Sequence, residues 1–220
     1  MEIAQIIAEF MRAGGGTGTV FMAVISLVWA IGLGYAAEKI FGLKKLDIDG
    51  PSLMNELQKY ILSGDLQGAI KACSGSSSAL ARVLKNGLKR ANQNLEQMQN
   101  AIDATTLEVI PKIEARLNYL SLVANVSTLL GLLGTIFGLI ESFRAVAAAE
   151  DPAQKAQLLS DGISVAMNTT ALGLLSAISV LVLHTVLTGK AAKIIANIDE
   201  YSVKLMDLIG TRNIDNQTKE

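Results

Sequence analysis

Three long apolar runs divide the chain. Residues 19–38 carry no charge before Glu38, residues 117–142 none before Glu141, and residues 162–187 contain no Lys, Arg, Asp or Glu. Each is long enough to cross a hydrocarbon core of about 30 Å as a helix, which takes about 20 residues. The second run is not apolar all round. Ser121, Thr128, Thr135 and Ser142 recur every seven residues, a spacing that keeps them in one slowly drifting helical stripe. Gly131, Gly134 and Gly138 leave flat patches where another helix can approach closely. The third run repeats the theme with Asn168, Thr169, Thr170, Ser176, Ser179 and His184, and with Gly173 as its small surface. A helix that served only as an anchor would need none of this, so both runs are expected to face protein or water on one side.

The intervening stretches read as helices too. Residues 39–116 hold eleven Lys or Arg and eight Asp or Glu. Helical spacing joins Leu53, Leu57, Tyr60 and Ile61, with a turn at Gly64-Asp65. A short helix over 66–72, a small-residue loop over 73–78 and a helix over 79–90 follow. From Leu95 the pattern predicts a long helix that continues into the second span, with Pro111 removing one backbone hydrogen bond. No alternating strand pattern occurs. The expected fold class is an all-α membrane protein with three transmembrane helices, the second and third extending into a cytoplasmic helical bundle. Its parts are an amphipathic interfacial helix over 1–18, spans over 19–38, 117–142 and 162–187, a cytoplasmic region over 39–116, a periplasmic connection over 143–161 and a C-terminal helix over 188–220.

Composition narrows the class. Half of the residues are hydrophobic and only 5% are aromatic. A formal net charge of −1 gives no basic surface for nucleic acid, and no nucleic-acid partner is expected. Lys39, Lys44, Lys45, Lys112, Arg116, Lys190 and Lys193 flank the spans on one side, so the positive-inside rule puts 39–116 and the C-terminus in the cytoplasm and the N-terminus in the periplasm. One cysteine, Cys73, excludes an intramolecular disulfide, and with a single histidine it leaves no zinc ligand set. Neither a phosphate-cradling glycine loop nor a nucleophile elbow occurs. No enzyme, metal or cofactor is expected.

The candidate chemistry therefore lies in the spans. Hydroxyls there can serve as glue between helices, or they can line a hydrated path. Thr135 and Thr170 fall near mid-membrane, each on a helix rich in small residues. Ion pathways through membranes normally use ionisable groups, yet no carboxylate lies between Arg116 and Glu141 or within 162–187. If ions pass, a partner must bring the acid. The alternative is a non-conducting oligomeric membrane scaffold.

Residues 124–138, ANVSTLLGLLGTIFG, resemble the second-span signature of the ExbB/TolQ/MotA family of ion-driven motors, and 169–174, TTALGL, resembles its third-span signature. The likeness extends over essentially the whole chain and is closest to the three-span ExbB/TolQ-like members. It implies a pore-forming stator subunit of the bacterial inner membrane, five copies in a ring around a dimer of a single-span ExbD/TolR/MotB-like partner, and lipid around the outside. Proton flow, with sodium as the other ion to consider, would be coupled to mechanical work. The ion-pathway residues implied are Thr135 and Thr170, with Thr169, Thr128 and Asn168 beside them. Gly131, Gly134, Gly138 and Gly173 are assigned to helix packing. The sequence departs from ExbB-like members at Thr128 and Ser179, where they usually have proline, and at Val165, where they usually have glutamate.

Overall fold

A computed structural model describes residues 17–217; the amphipathic segment expected over 1–18 falls almost entirely outside them. Seven helices make up the described chain: α1 (Thr17–Leu46), α2 (Gly50–Leu62), α3 (Leu66–Ser74), α4 (Ala79–Leu88), α5 (Leu95–Glu114), α6 (Leu117–Ala148) and α7 (Pro152–Gln217). No strand occurs among the described residues, and three helical stretches are long and apolar enough to cross a membrane. The chain divides into two compact units. One takes in the described residues up to Glu38 and Arg116–Val186; the other is Lys39–Ala115 with Leu187 onward.

The first unit is a three-helix bundle. Phe21 meets Phe137 and Tyr35 stacks on Tyr119, so α1 runs antiparallel to α6. Trp29 Nε1 donates to Ser179 Oγ at 2.7 Å, and Gly18 lies against Val165, so α1 runs parallel to α7. Met22, Ile25 and Leu172 form the buried centre, with Leu130 packed against it. Much of the remaining apolar surface points outward: Leu129, Leu132, Ile136, Ile178 and Val182 are all exposed. That distribution suits a unit whose outer solvent is hydrocarbon and whose inner faces are small and polar.

In the second unit, short helices pack in chain order, α2 on α3, α3 on α4 and α4 on α5. Local chemistry sets their ends. Asp65 accepts from Gly68 N–H at the start of α3, Ser78 from Ala81 N–H at α4, and Asn94 from Gln97 N–H at α5. Gly64, at φ +79, closes α2 in the left-handed region. Leu57, Ile61, Cys73, Leu84, Met98, Ile113, Ile198 and Leu205 fill the core. Burial pushes the Cys73 thiol up to about 11, outweighing the opposing pull of Lys85.

Two helix bounds differ from the sequence expectation. The helix expected to run on from Leu95 into the second span, weakened at Pro111, stops at Glu114, and Arg116 takes a left-handed conformation at φ 67. Pro111 has already removed one hydrogen bond from that last turn, and the Arg116 guanidinium pairs with Glu38 of α1. A non-glycine residue in this region costs roughly 1–2 kcal/mol. Conversely, residues 143–148 and 152–161 are helical, so that only 149–151 lie between α6 and α7. The charges there mark where hydrocarbon would end. They do not stop a helix rich in alanine, and Pro152 suits a first helical position.

Candidate functional site

The candidate site lies where α6 and α7 pack together. The two helices are antiparallel and in close register: Gly138 faces Ala166, Gly134 faces Thr169, Gly131 faces Gly173, and Gly162 faces Ser142. A Cβ built on Gly173 would lie 2.8 Å from both Gly131 Cα and Ser127 O. One built on Gly131 would lie 3.2 Å from Gly173 Cα and 3.3 Å from Thr169 O. These neighbours are backbone, so the two helices lie closer here than a side chain on Gly173 would allow. Only glycine permits it.

This approach brings together two of the hydroxyls singled out in the sequence. Thr135 Oγ1 and Thr170 Oγ1 are in direct hydrogen-bond contact. Each also lies 3.1 Å from the carbonyl oxygen of Gly131, one along its own helix and the other across the interface. The result is a triangle of three oxygens, half-buried. Each hydroxyl has one proton to donate and two lone pairs to offer. Two protons cannot satisfy all three contacts at once, and lone pairs are left over. The cluster can therefore accept from a hydrated proton or lend oxygen ligands to a cation. It carries no charge of its own to offset the cost of an ion in hydrocarbon.

The other sequence candidates stand apart from the triangle. Thr169 is fully buried against Gly134, and its hydroxyl donates to Ala166 O at 2.7 Å. Thr128 is exposed and donates to Ala124 O at 3.1 Å. Asn168 is half-buried, two positions before Thr170 on α7. Ser142 and Ser176 are buried and return their hydroxyls to carbonyls four residues back, Gly138 O and Leu172 O.

Several features were not singled out from sequence. Ser127 is fully buried with no partner for its hydroxyl, and its carbonyl forms part of the floor beneath Gly173. The Trp29–Ser179 bond ties α1 to α7, and Ser179 in turn donates to Ser176 O. Nothing in the sequence signals a pair 150 residues apart. The only hint was a tryptophan, with its single N–H donor, in the middle of an apolar run, where a buried N–H needs an acceptor.

Long apolar helices held together by glycine contacts, with a hydroxyl cluster at their crossing, define a polytopic helical membrane protein. The profile of the MotA/TolQ/ExbB proton channel family matches residues 76–200, and the chain belongs to that family. It is 26% identical over 185 residues to a putative biopolymer transport protein ExbB homolog of Methanothermobacter thermautotrophicus, covering 84% of this chain and 63% of that protein. The chain thus spans less than two thirds of that relative's length. It is 52% identical over 62 residues to the biopolymer transport protein exbB1 of Vibrio cholerae, covering 28% of this chain and 27% of that one. The solved structure of C. jejuni MotAB superposes with a TM-score of 0.64 at 14% identity, over 91% of this chain and 78% of that chain, a likeness of fold.

Proposed function

We propose that the chain is a pore-forming stator subunit of an ion-driven motor in the bacterial inner membrane. It would lie with its N-terminus in the periplasm and its C-terminus in the cytoplasm. Several copies, five by family resemblance, surround a dimer of a single-span ExbD/TolR/MotB-like protein. That partner supplies the carboxylate that residues 117–140 and 162–187 lack, and ion flow past the Thr135–Thr170–Gly131 triangle is coupled to mechanical work. The observation that carries this reading is the triangle itself: uncommitted oxygen lone pairs at mid-span, held by glycine contacts and without an acid beside them. The partnership is supported by the MotA–MotB pairing of the solved C. jejuni structure and by the ExbB names of the relatives.

The test is ion flux in vesicles holding the chain with its partner. Thr135→Val and Thr170→Val preserve side-chain shape and remove the hydroxyl. Each is expected to abolish flux while the assembly still forms. Full flux in both variants would remove the triangle from the pathway. Repeating the measurement with sodium replaced at constant pH separates a sodium pathway from a proton one. A non-conducting scaffold has one observation in its favour: the Thr170 hydroxyl already donates across the interface to Gly131 O, as glue between helices would. A scaffold predicts no flux in the unmodified chain and weakened assembly in both valine variants.

A further inference from the structure

One face of α1 stays exposed along the helix. Leu27, Ile31, Gly34, Glu38, Phe41 and Lys45 recur at alternating intervals of four and three residues, and all six are exposed. In a membrane Leu27 and Ile31 on this face meet hydrocarbon. Phe41 is 73% exposed and lies three residues past Glu38, the first charge after the apolar run. At 1.5 Å per residue that is about 4.5 Å, and Lys45 is about 10 Å beyond Glu38. The headgroup layer on one side of a bilayer is about 5–8 Å deep. Phe41 thus falls inside that layer and Lys45 at its outer edge. An exposed ring followed by basic residues is the arrangement that seats a helix at a lipid interface.

In the second unit, the end of α1 opens onto a cavity of about 520 Å³, within the range of small-molecule pockets, about 300–1,000 Å³. Lys44, Asp47 and Asp49 line it from α1 and the turn that follows, and Lys193 and Asn197 from α7. Its wall is firm where Tyr201, only 7% exposed, seats its ring on Gly50 at the start of α2. The charges are ordered. Following the chain out of the apolar runs, Lys44 comes in the last turn of α1, while Asp47 and Asp49 come after the helix ends at Leu46. Lys193 precedes Asn197 and Tyr201 by one and two turns of α7. Among the described residues, neither lysine and neither aspartate forms an ion pair, although all four line one cavity. The Asp49 side chain makes no capping bond to α2 either.

We propose that this cavity holds the headgroup of a phospholipid that carries both a phosphate and a primary ammonium. The phosphate would lie against Lys44 and Lys193, and the ammonium farther out against Asp47 and Asp49. The glycerol would lie beside Phe41 and the acyl chains along Leu27 and Ile31. The match is one of charge order. Such a lipid presents its phosphate first and its ammonium last, and the cavity presents lysines first and carboxylates last. A purely anionic headgroup would place its polar end against two carboxylates. A quaternary ammonium has no N–H to donate to them.

The test titrates the full chain in mild detergent with short-chain phosphatidylethanolamine, phosphatidylcholine or phosphatidylglycerol, and counts bound lipid per chain by native mass spectrometry. One saturable phosphatidylethanolamine per chain is expected, held more tightly than either other lipid. Lys44→Gln and Lys193→Gln should each weaken it roughly two- to fivefold, the range for exposed charge pairs. Phe41→Ser should weaken it too. The double variant Asp47→Asn/Asp49→Asn should reverse the preference, so that phosphatidylglycerol is held more tightly than phosphatidylethanolamine. Lys89→Gln, at an exposed lysine of the second unit that does not line the cavity, should change nothing. Free phosphoethanolamine at the same concentration should not displace the lipid. Equal binding of the three lipids, an unaltered preference in the aspartate variant, or unaltered affinity in either lysine variant overturns the proposal. So does displacement by free phosphoethanolamine, which would mark a site for a soluble ligand. The proposal rests on the membrane-spanning helices and not on the stator reading. Neither a partner nor ion flux enters the test, so the two fail separately.

Discussion

Gly173→Ala tests how the glycine contacts position the hydroxyls. The added methyl would sit 2.8 Å from Gly131 Cα and from Ser127 O. Carbon atoms are comfortable at about 3.5–4.0 Å, so α6 and α7 must part by roughly 0.7 Å or more. Thr170 Oγ1 lies 3.1 Å from Gly131 O; the same displacement takes it to roughly 3.8 Å, beyond hydrogen-bond reach. The threonine pair would be pulled apart without either threonine being altered. Overpacking of this kind costs about 1–3 kcal/mol. The measurement is thermal unfolding in mild detergent beside ion flux in vesicles with the partner present. A lower midpoint together with lost flux is expected. Gly34→Ala is the control: nothing in the described chain lies within 4 Å of a Cβ there, and alanine is favoured over glycine inside a helix by about 0.5–1 kcal/mol. If Gly173→Ala behaved like Gly34→Ala in both assays, the close-contact geometry would be wrong.

Three further outcomes are expected. Trp29→Phe and Ser179→Ala each lose the α1–α7 bond, at about 0.6 kcal/mol, the average for hydrogen bonds between membrane helices; unfolding of both single variants and the double variant should show the costs failing to add. Cys73, with its thiol raised from 9.0 to about 11 by burial, should react with iodoacetamide at pH 8 about a hundredfold more slowly than an exposed thiol, and at the exposed rate once the chain is unfolded. Glu108 is held below the usual carboxylate range by its hydrogen bond from Lys112 and by the charge of Arg82. Its folded value is depressed, so its contribution is present above the unfolded value of 4.5 and is lost as pH falls through the folded one. Glu108→Gln should therefore be less stable than the unmodified chain at pH 7, and the gap in thermal midpoint should close in acid.

The apolar runs made the three membrane-spanning helices legible because hydrocarbon imposes a length and a composition. The helix ends were less legible for the same reason: charge marks the membrane boundary, while helices continue wherever alanine and backbone bonding allow, as at 143–148 and 152–161. The break at Arg116 had only the proline five residues before it as a signal, since arginine has no preference for a positive φ. The pairing of Trp29 with Ser179 is a tertiary event and leaves no trace in local spacing. Each departure from ExbB-like sequences meets a contact inside this chain. Val165 packs on Gly18, Thr128 bonds to its own helix, and Ser179 receives the indole N–H.

The sequence invites a division of labour, glycines for packing and threonines for chemistry, and the geometry does not keep them apart. Gly131 lacks a side chain, so α7 can come close enough for Thr170 to reach its carbonyl. That same carbonyl holds Thr135, and the two hydroxyls meet over it. Gly131 is thus a packing contact and one of the three oxygens in the cluster. A larger residue there would push the helices apart and remove Thr170 from the carbonyl in one step. It follows that a variant which only loosens this interface, such as Gly173→Ala, cannot leave the hydroxyl cluster intact. Loss of flux without change at any threonine is the signature that separates a positioned ion site from hydroxyls that merely glue helices together.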